Sequence, residues 1–555
     1  PSVSTIDDID GVVNAHHLTV IRLNLDFLTC NRDQFFAALK GENIGVNVHY
    51  VPVHTMTYYQ SKSFKGAYTS PSLCPNAVAL YTEIISLPCF PLMTDDDVQD
   101  VIAAVYKAHN AYAKDGLLRL DIKLGTQSET PLKLITNFTK SDEYRSEIHQ
   151  LIPGGAHTYS KGDDQFPIRS PAAIVKGDGA HVIDLDGNKY LDCSCGLTSV
   201  NLGHCYKPCI NAVIQQLHAG TNFQRPASIE RELAKEFLNL VSPLGHDRIK
   251  FAKNGSTVTT CAMKLARGFT GRKYICRPSN HPFYSYDDWF IGTTPCDFGI
   301  PDEIKELTLT FDSMKPKSLQ ALVDEYPGEI AAVITEPDSI ADACSYTREE
   351  TAAAHLECGE ICRANSIILI IDEMVSGYRS GFPGASTVYG HQADMCCWGK
   401  SIGNGYSFCA LTGKAALMDL GGIIEKKDAL GNIYPRMFLC STTHGAETIG
   451  VAAALEVIRT YRENDVIGHV HKLVKYAHEG MKNAVEDAGL QQNIEQRANT
   501  WVTISIFKDQ NGKVDSSFRT LFLQEMIARG VLFQGVMLPS FSHTKDDMDH
   551  FIKAY

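Results

Sequence analysis

Five consecutive apolar residues, Ile367-Ile368-Leu369-Ile370-Ile371, run directly into Asp372-Glu373. The pattern predicts a strand buried on both faces in a parallel sheet, delivering a carboxylate to its C-terminal edge. A second run, Met395-Cys396-Cys397-Trp398, ends in Gly399-Lys400-Ser401-Ile402-Gly403-Asn404-Gly405, so an amine follows the strand in a setting where backbone can approach a flat ligand closely. Arg248-Ile249-Lys250-Phe251-Ala252 reads as another strand; Lys253-Asn254-Gly255-Ser256-Thr257 then opens a helix through Cys261, Ala262, Leu265 and Ala266. Ala331 to Glu336 reads as a further strand ending in an acid.

Near the N-terminus the strand-like runs are Leu18–Leu23 and Val46–Tyr50. Thr94-Asp95-Asp96-Asp97 followed by Val98, Val101, Ile102 and Val105 predicts a helix with Thr94 as its cap and an acidic first turn. Periodicity fades from 113 to 140, which reads as a linker, and strands alternate with helices from 141 to 555. The expected organisation is a small α/β domain over 1–112, the linker 113–140, and a large α/β domain with a mostly parallel sheet over 141–555.

Composition narrows the function. Hydrophobic residues make up 44% and charged residues 21% of the 555, as in globular proteins. The net charge of −13, from 64 acidic and 51 basic residues, disfavours nucleic acid and anionic membranes as partners. No apolar stretch reaches the ~18 residues of a membrane span and no signal-peptide pattern is visible, so a cytoplasmic location is expected. Pro1 rather than methionine opens the chain, consistent with a processed product or a fragment. The 17 cysteines follow no framework, and Cys396, Cys397, Cys409 and Cys440 lie in apolar runs, where thiols act as small core hydrophobes in a reducing compartment. Cys193-Ser194-Cys195 with His204-Cys205 matches no standard zinc spacing, and no metal is expected.

Taken singly, Lys400 reads as a surface lysine in a Gly-rich turn and Asp372 as a strand cap. Together they are the equipment of a pyridoxal 5′-phosphate (PLP) enzyme: an amine that forms a Schiff base, and an acid that keeps a pyridine nitrogen protonated. The Gly255-Ser256-Thr257 helix start adds backbone N–H groups, hydroxyls and a positive dipole end suited to a phosphate, although Ser and Thr also cap helices for structural reasons.

Ile152-Pro153-Gly154-Gly155, Asn254-Gly255-Ser256, Glu336-Pro337, Asp372-Glu373-Met374, Gly399 to Gly405 and Ser441-Thr442-Thr443-His444-Gly445 occur in one order over residues 141–555, with Lys400 28 positions after Asp372. This stretch resembles the class III PLP-dependent aminotransferases, in particular the glutamate-1-semialdehyde aminomutase branch. The resemblance implies a PLP fold-type I architecture, with a large cofactor domain over about 200–415 and a small C-terminal domain over about 440–555. It implies that Lys400 carries the cofactor and moves the substrate proton, that Asp372 pairs with the pyridine nitrogen, and that Asn254, Gly255 and Ser256 hold the phosphate. Phe283 would lie against the cofactor face and Glu336 near it, with a strand-end salt bridge as the alternative for Glu336. Thr442 would reach the phosphate of a neighbouring subunit, implying a homodimer.

Two departures stand out. Phe283-Tyr284-Ser285 replaces the family's usual Tyr-His-Gly, and Ala156-His157-Thr158-Tyr159-Ser160-Lys161 stands where the aminomutase has an arginine for the substrate carboxylate. Lys161 offers a point charge but no bidentate pair. His157, Tyr159 and Lys161 are therefore candidates for contacting a more polar substrate, with solvated loop residues as the alternative.

Asn43-Ile44-Gly45-Val46-Asn47-Val48-His49-Tyr50-Val51-Pro52-Val53-His54, with Cys74-Pro75-Asn76-Ala77 and Ile85-Ser86-Leu87-Pro88, resembles the C-terminal small domain of DegT-type nucleotide-sugar aminotransferases. The cofactor lysine of such an enzyme is missing here, so 1–112 is expected to be a docking module or the tail of a larger protein with an upstream catalytic domain. The resulting expectation is an aminotransferase that moves an amino group from an amino acid donor to a keto or aldehyde acceptor, in nucleotide-sugar or surface carbohydrate biosynthesis. The alternatives are a glutamate-1-semialdehyde 2,1-aminomutase and a catalytically silent PLP-fold scaffold; intact Lys400 and Asp372 argue against silence.

Overall fold

The computed structural model describes residues 3–5, 18–56, 74–90, 93, 95–114, 132, 134–281, 283–343, 345–422, 427, 430, 431, 437 and 439–555. The expected helix cap at Thr94, residues 115–131 and 133 of the linker expected over 113–140, Pro282 and the opening Pro1-Ser2 lie outside them. The chain divides into two compact units, Pro1–Pro131 and Leu132–Tyr555.

In the first unit β1 (Val3–Thr5), β2 (Thr19–Leu23) and β3 (Ile84–Leu87) form an antiparallel sheet in that order. Helices Arg32–Gly41 and Asp95–Tyr112 pack together beside it. Leu23, Phe35, Leu39 and Ile85 are fully buried in its core. The Asp95–Tyr112 helix buries Val101, Ala104 and Ala108, whereas Val98 and Ile102 are exposed. The strand expected at Val46–Tyr50 does not form. Among the described residues only Asn47 of this run pairs, exchanging N–H and C=O with Ser86.

The second unit holds β4 (Ile174–Asp178), β5 (His181–Asp184), β6 (Lys189–Asp192), β7 (Arg248–Ala252), β8 (Tyr274–Pro278), β9 (Thr308–Phe311), β10 (Ile330–Thr335), β11 (Ile368–Glu373), β12 (Met395–Trp398) and β13 (Cys409–Gly413). After them come β14 (Ile494–Ala498), β15 (Thr503–Phe507), β16 (Val531–Leu532) and β17 (Val536–Met537). The central sheet has seven strands in the order β7-β13-β12-β11-β10-β8-β9, with β13 antiparallel to both of its neighbours. Every residue of β10 and β11 is buried, which is why these strands read as unbroken apolar runs. Two smaller sheets, β14-β15-β17 and β16-β6-β5-β4, complete the unit.

Long-range pairing assembles the second of these. Val531 of β16 registers with Leu191 of β6, so residues 174–192 join the C-terminal part of the chain. Leu132, Ile135 and Phe138 pack against the same part, and the Ile135 N–H donates to the Ala528 carbonyl at 2.7 Å. Most cysteines behave as expected: Cys276, Cys358, Cys362, Cys396 and Cys397 are buried in the core. Cys440 departs from the expectation and forms a disulfide with Cys261, the two Cα atoms 6.1 Å apart.

Candidate active site

Parallel strands β11 and β12 place their C-terminal ends side by side, with Asp372 opposite Cys397 and Glu373 opposite Trp398. Alternation along β11 sends the two carboxylates to opposite faces. Glu373 is consumed by structure: its carboxylate accepts from Ser376 Oγ at 2.6 Å, the Ala385 N–H at 3.1 Å and the Ser386 N–H at 2.6 Å. Among the described residues Asp372 accepts only the Met374 N–H, at 2.9 Å, and it faces Lys400.

Lys400 begins a 3-10 turn (Lys400–Gly403) directly after Gly399. A side chain at Gly399 would meet Met374 Sδ at 2.4 Å and Cys409 Sγ at 2.8 Å, so glycine is required for β12 to pass this point. Burial lowers the ammonium's pKa, opposed by the nearby Glu336 and Asp372 carboxylates. An amine held below its ordinary range is the nucleophilic form. Burial likewise pushes the Asp372 carboxyl up to about 7 and, with Asp372 beside it, the Glu336 carboxyl up to about 8. Glu336 follows β10, is 9% exposed, and its Oε1 lies buried without a hydrogen-bond partner among the described residues.

β7 leads into the 16-residue helix Gly255–Thr270. Asn254 is its N-cap, accepting from the Thr257 N–H at 2.9 Å, so its side chain is committed to the helix start. Gly255 and Ser256 occupy the first two helical positions, whose N–H groups have no intrahelical acceptor and point along the dipole's positive end. A Cβ at Gly255 would stand 3.0 Å from Met374 Sδ, the residue that follows the two carboxylates, so this helix start abuts the Asp372 strand end. Ser256 is buried and its Oγ accepts from the Tyr286 N–H at 3.0 Å.

Phe283 is 59% exposed, with one ring edge against Phe290 at a centroid separation of 5.7 Å. Its neighbour Tyr284 is buried, with Glu336 and Asp372 among the charges its phenol feels. Thr442 is exposed and lines a groove of about 670 Å³ with Thr221, Phe223, Arg225, Leu439 and Thr443. His157, Tyr159 and Lys161 are exposed on the short turns after Pro153, and among the described residues none of them makes a hydrogen bond or ion pair with the Lys400 cluster.

Sequence reading missed two further sets of residues here. Arg379 is fully buried and near enough to Lys400 and Glu336 to influence both, its guanidinium donating to the Val375 carbonyl at 2.8 Å and the Thr198 carbonyl at 2.6 Å. The second is a buried set, Tyr284, His281, Asp342 and His355, whose members are dispersed in sequence and carry no motif.

The class III aminotransferase model matches residues 159–554. The chain belongs to that family. The aminotransferase is 27% identical over 444 residues to the glutamate-1-semialdehyde 2,1-aminomutase of Thermus thermophilus, covering 75% of this chain and 98% of the relative. It is 30% identical over 344 residues to that of Haloarcula marismortui, covering 61% of this chain and 73% of the relative. In fold it is similar to an omega-transaminase from Sphaerobacter thermophilus, with a TM-score of 0.66, 21% identity and coverage of 76% and 98% of the two chains. It is likewise similar to a glutamate-1-semialdehyde aminomutase from Pseudomonas aeruginosa, with a TM-score of 0.63, 18% identity and coverage of 75% and 93%. These neighbours share the PLP fold-type I architecture, an α/β fold. Residues 2–106 match the DegT/DnrJ/EryC1/StrS aminotransferase family.

The protein is thus a PLP-dependent aminotransferase or aminomutase acting on a small-molecule amino donor and acceptor. The residues present fit the cofactor. Lys400 and Asp372 are buried together, Glu336 Oε1 lacks a partner among the described residues, and the helix start at Gly255 lies beside them. Among the described residues no helix is long and apolar enough to cross a membrane.

Proposed function

We propose that the protein transfers an amino group from an amino acid donor to a separate keto or aldehyde acceptor, in nucleotide-sugar or surface carbohydrate biosynthesis. The observation that carries the reading is the buried trio of Lys400, Asp372 and Glu336 beside the Gly255 helix start. The carbohydrate setting is supported by the DegT-type match over residues 2–106.

In this reading Lys400 binds the cofactor through its ε-amine and afterwards moves the proton at the substrate's α-carbon. Asp372, desolvated and acceptor-only when ionised, holds a proton on the pyridine nitrogen. PLP, when bound there, supplies an electron sink for the bonds at that carbon. Gly255 and Ser256 bind the phosphate through backbone N–H groups at the helix start, with Asn254 shaping that start by capping it. Phe283 covers the cofactor face and excludes water. Thr442, exposed in the single chain, contacts the phosphate of a partner subunit, and a homodimer is the active unit. His157, Tyr159 and Lys161 orient a hydroxylated acceptor rather than a bare carboxylate, since Lys161 lacks arginine's bidentate fork.

The similarity to glutamate-1-semialdehyde 2,1-aminomutases favours a second reading, an aminomutase. Stoichiometry separates the two. A transaminase releases one keto acid from the donor for each acceptor aminated, whereas the mutase isomerises its substrate and releases none. Incubating the holoenzyme with glutamate and candidate keto-sugars, and separately with glutamate-1-semialdehyde alone, decides between them. Turnover of the semialdehyde without release of any keto acid would overturn the aminotransfer reading. Light scattering during turnover tests the dimer, and a competent monomer would remove Thr442 from the phosphate site.

A further inference from the structure

A buried run of polar groups ends one residue from the site at both of its ends. Tyr284 follows Phe283, and its hydroxyl lies 2.5 Å from His281 Nδ1. His281 Nε2 is 2.9 Å from Asp342 Oδ2, and the same oxygen is 3.3 Å from His355 Nε2. His355 Nδ1 is 2.9 Å from the hydroxyl of Thr335, which immediately precedes Glu336. All five residues are at most 3% exposed.

One proton arrangement pairs the five groups. Asp342 Oδ1 accepts from Asn280 Nδ2 at 2.7 Å and from Ser313 Oγ at 3.1 Å. Its Oδ2 takes the Nε2–H of both histidines, which leaves each Nδ1 as an acceptor for the hydroxyl of Tyr284 or Thr335. This arrangement gives Asp342, both ring nitrogens of each histidine, Tyr284 and Thr335 a partner, and Ser339 Oγ lies 3.4 Å from His281 Nε2 beside the run. Burial holds His281 below its ordinary range, and although burial opposes ionisation, the two histidine N–H groups keep the Asp342 carboxyl well below the usual carboxylate range. A fully satisfied buried network of this kind is rigid.

Among the described residues, the only ring contact of Phe283 is with Phe290, and Glu336 Oε1 has no hydrogen-bond partner. We propose that Tyr284, His281, Asp342 and His355 form a positioning network. It locks the Phe283–Tyr284 segment and the Thr335–Glu336 strand end into one geometry about Lys400 and Asp372. None of the four touches substrate; they act through Phe283 and Glu336. The inference rests on the cofactor reading of the Lys400 site.

The test uses full-length holoenzyme carrying Tyr284→Phe, Asp342→Asn, the two together, His355→Gln or His355→Leu. Glutamine keeps a donor for Asp342 and an acceptor for Thr335, so it is the conservative rescue. The readouts are visible circular dichroism of the bound cofactor, PLP stoichiometry, and the donor half-reaction split into saturating rate and half-saturation. In Tyr284→Phe, Asp342→Asn and His355→Leu the dichroic band should fall by half or more with PLP still one per chain. The saturating rate should drop about 10- to 100-fold, the scale of reacting groups misplaced by up to an ångström, with donor half-saturation little moved. The double variant should be no worse than Asp342→Asn alone, since both break one network, and His355→Gln should stay near wild type.

Unchanged dichroism and rate in Tyr284→Phe and His355→Leu, or additive losses in the double variant, would overturn the proposal. So would one equivalent of metal in the wild-type chain that Asp342→Asn loses, which would make the cluster a metal site. If Asp342→Asn does not fold, Tyr284→Phe and the His355 pair decide. A wild-type protein with no visible cofactor band would instead fail the Lys400 reading, and the two failures are distinct.

Discussion

Replacing Asp372 with asparagine removes one charge and almost no volume. The amide oxygen can still accept the Met374 N–H that Asp372 accepts at 2.9 Å, so the strand end should keep its shape. Burial raises the Asp372 carboxyl to about 7 from an ordinary 3.8. That displacement corresponds to about 4 kcal/mol of cost in the ionised form. The folded value lies above the unfolded one, so in cofactor-free protein the penalty is absent below about pH 4, grows between pH 4 and 7, and is complete above about pH 7. Cofactor-free Asp372→Asn should therefore melt several degrees above the wild type at pH 8, and the gap should close as pH falls toward 4. Activity should move the other way, because an amide cannot hold the pyridine nitrogen protonated. The donor half-reaction should slow by about 10²-fold or more, the scale of losing a positioned electrostatic partner. Calorimetry at pH 5 and pH 8 and single-turnover absorbance measure the two effects. A near wild-type half-reaction, or a variant no more stable than the wild type at pH 8, would refute the reasoning and leave Asp372 a structural strand end.

Lys400→Ala should lose covalent attachment and its visible band yet still retain PLP in equilibrium dialysis, because Gly255 and Ser256 are untouched; a variant that keeps both band and turnover would exclude Lys400. Gly255→Ala adds a methyl 3.0 Å from Met374 Sδ at the phosphate approach, and PLP should bind about tenfold more weakly while the helix persists, alanine being the better helix former. An unchanged PLP dissociation constant would move the phosphate elsewhere. Residues 132–555, a compact unit containing every residue assigned to the cofactor, should keep PLP occupancy and the donor half-reaction rate. Collapse of cofactor binding in that fragment would give residues 1–131 a role in forming the site.

Much of the site was legible because its signals are local. An apolar run ending in an acid, an amine set among glycines, and an Asn-Gly-Ser helix start each depend on a few neighbouring residues, and β11, β12 and the Gly255–Thr270 helix formed where those patterns placed them. The strand expected at Val46–Tyr50 failed for a non-local reason: among the described residues its one ladder partner is Ser86, met by Asn47. Tertiary structure also decided which of the adjacent acids faces Lys400, since only the packing of Ser376, Ala385 and Ser386 around Glu373 leaves Asp372 for the site. It joined residues 174–192 to the C-terminal strands and brought His281 to Asp342 across 61 positions of sequence. Lone histidines and aspartates carry no pattern at such separations. Their chemistry comes from burial and from which partner the fold sets within hydrogen-bonding reach, and both are properties of the packed chain.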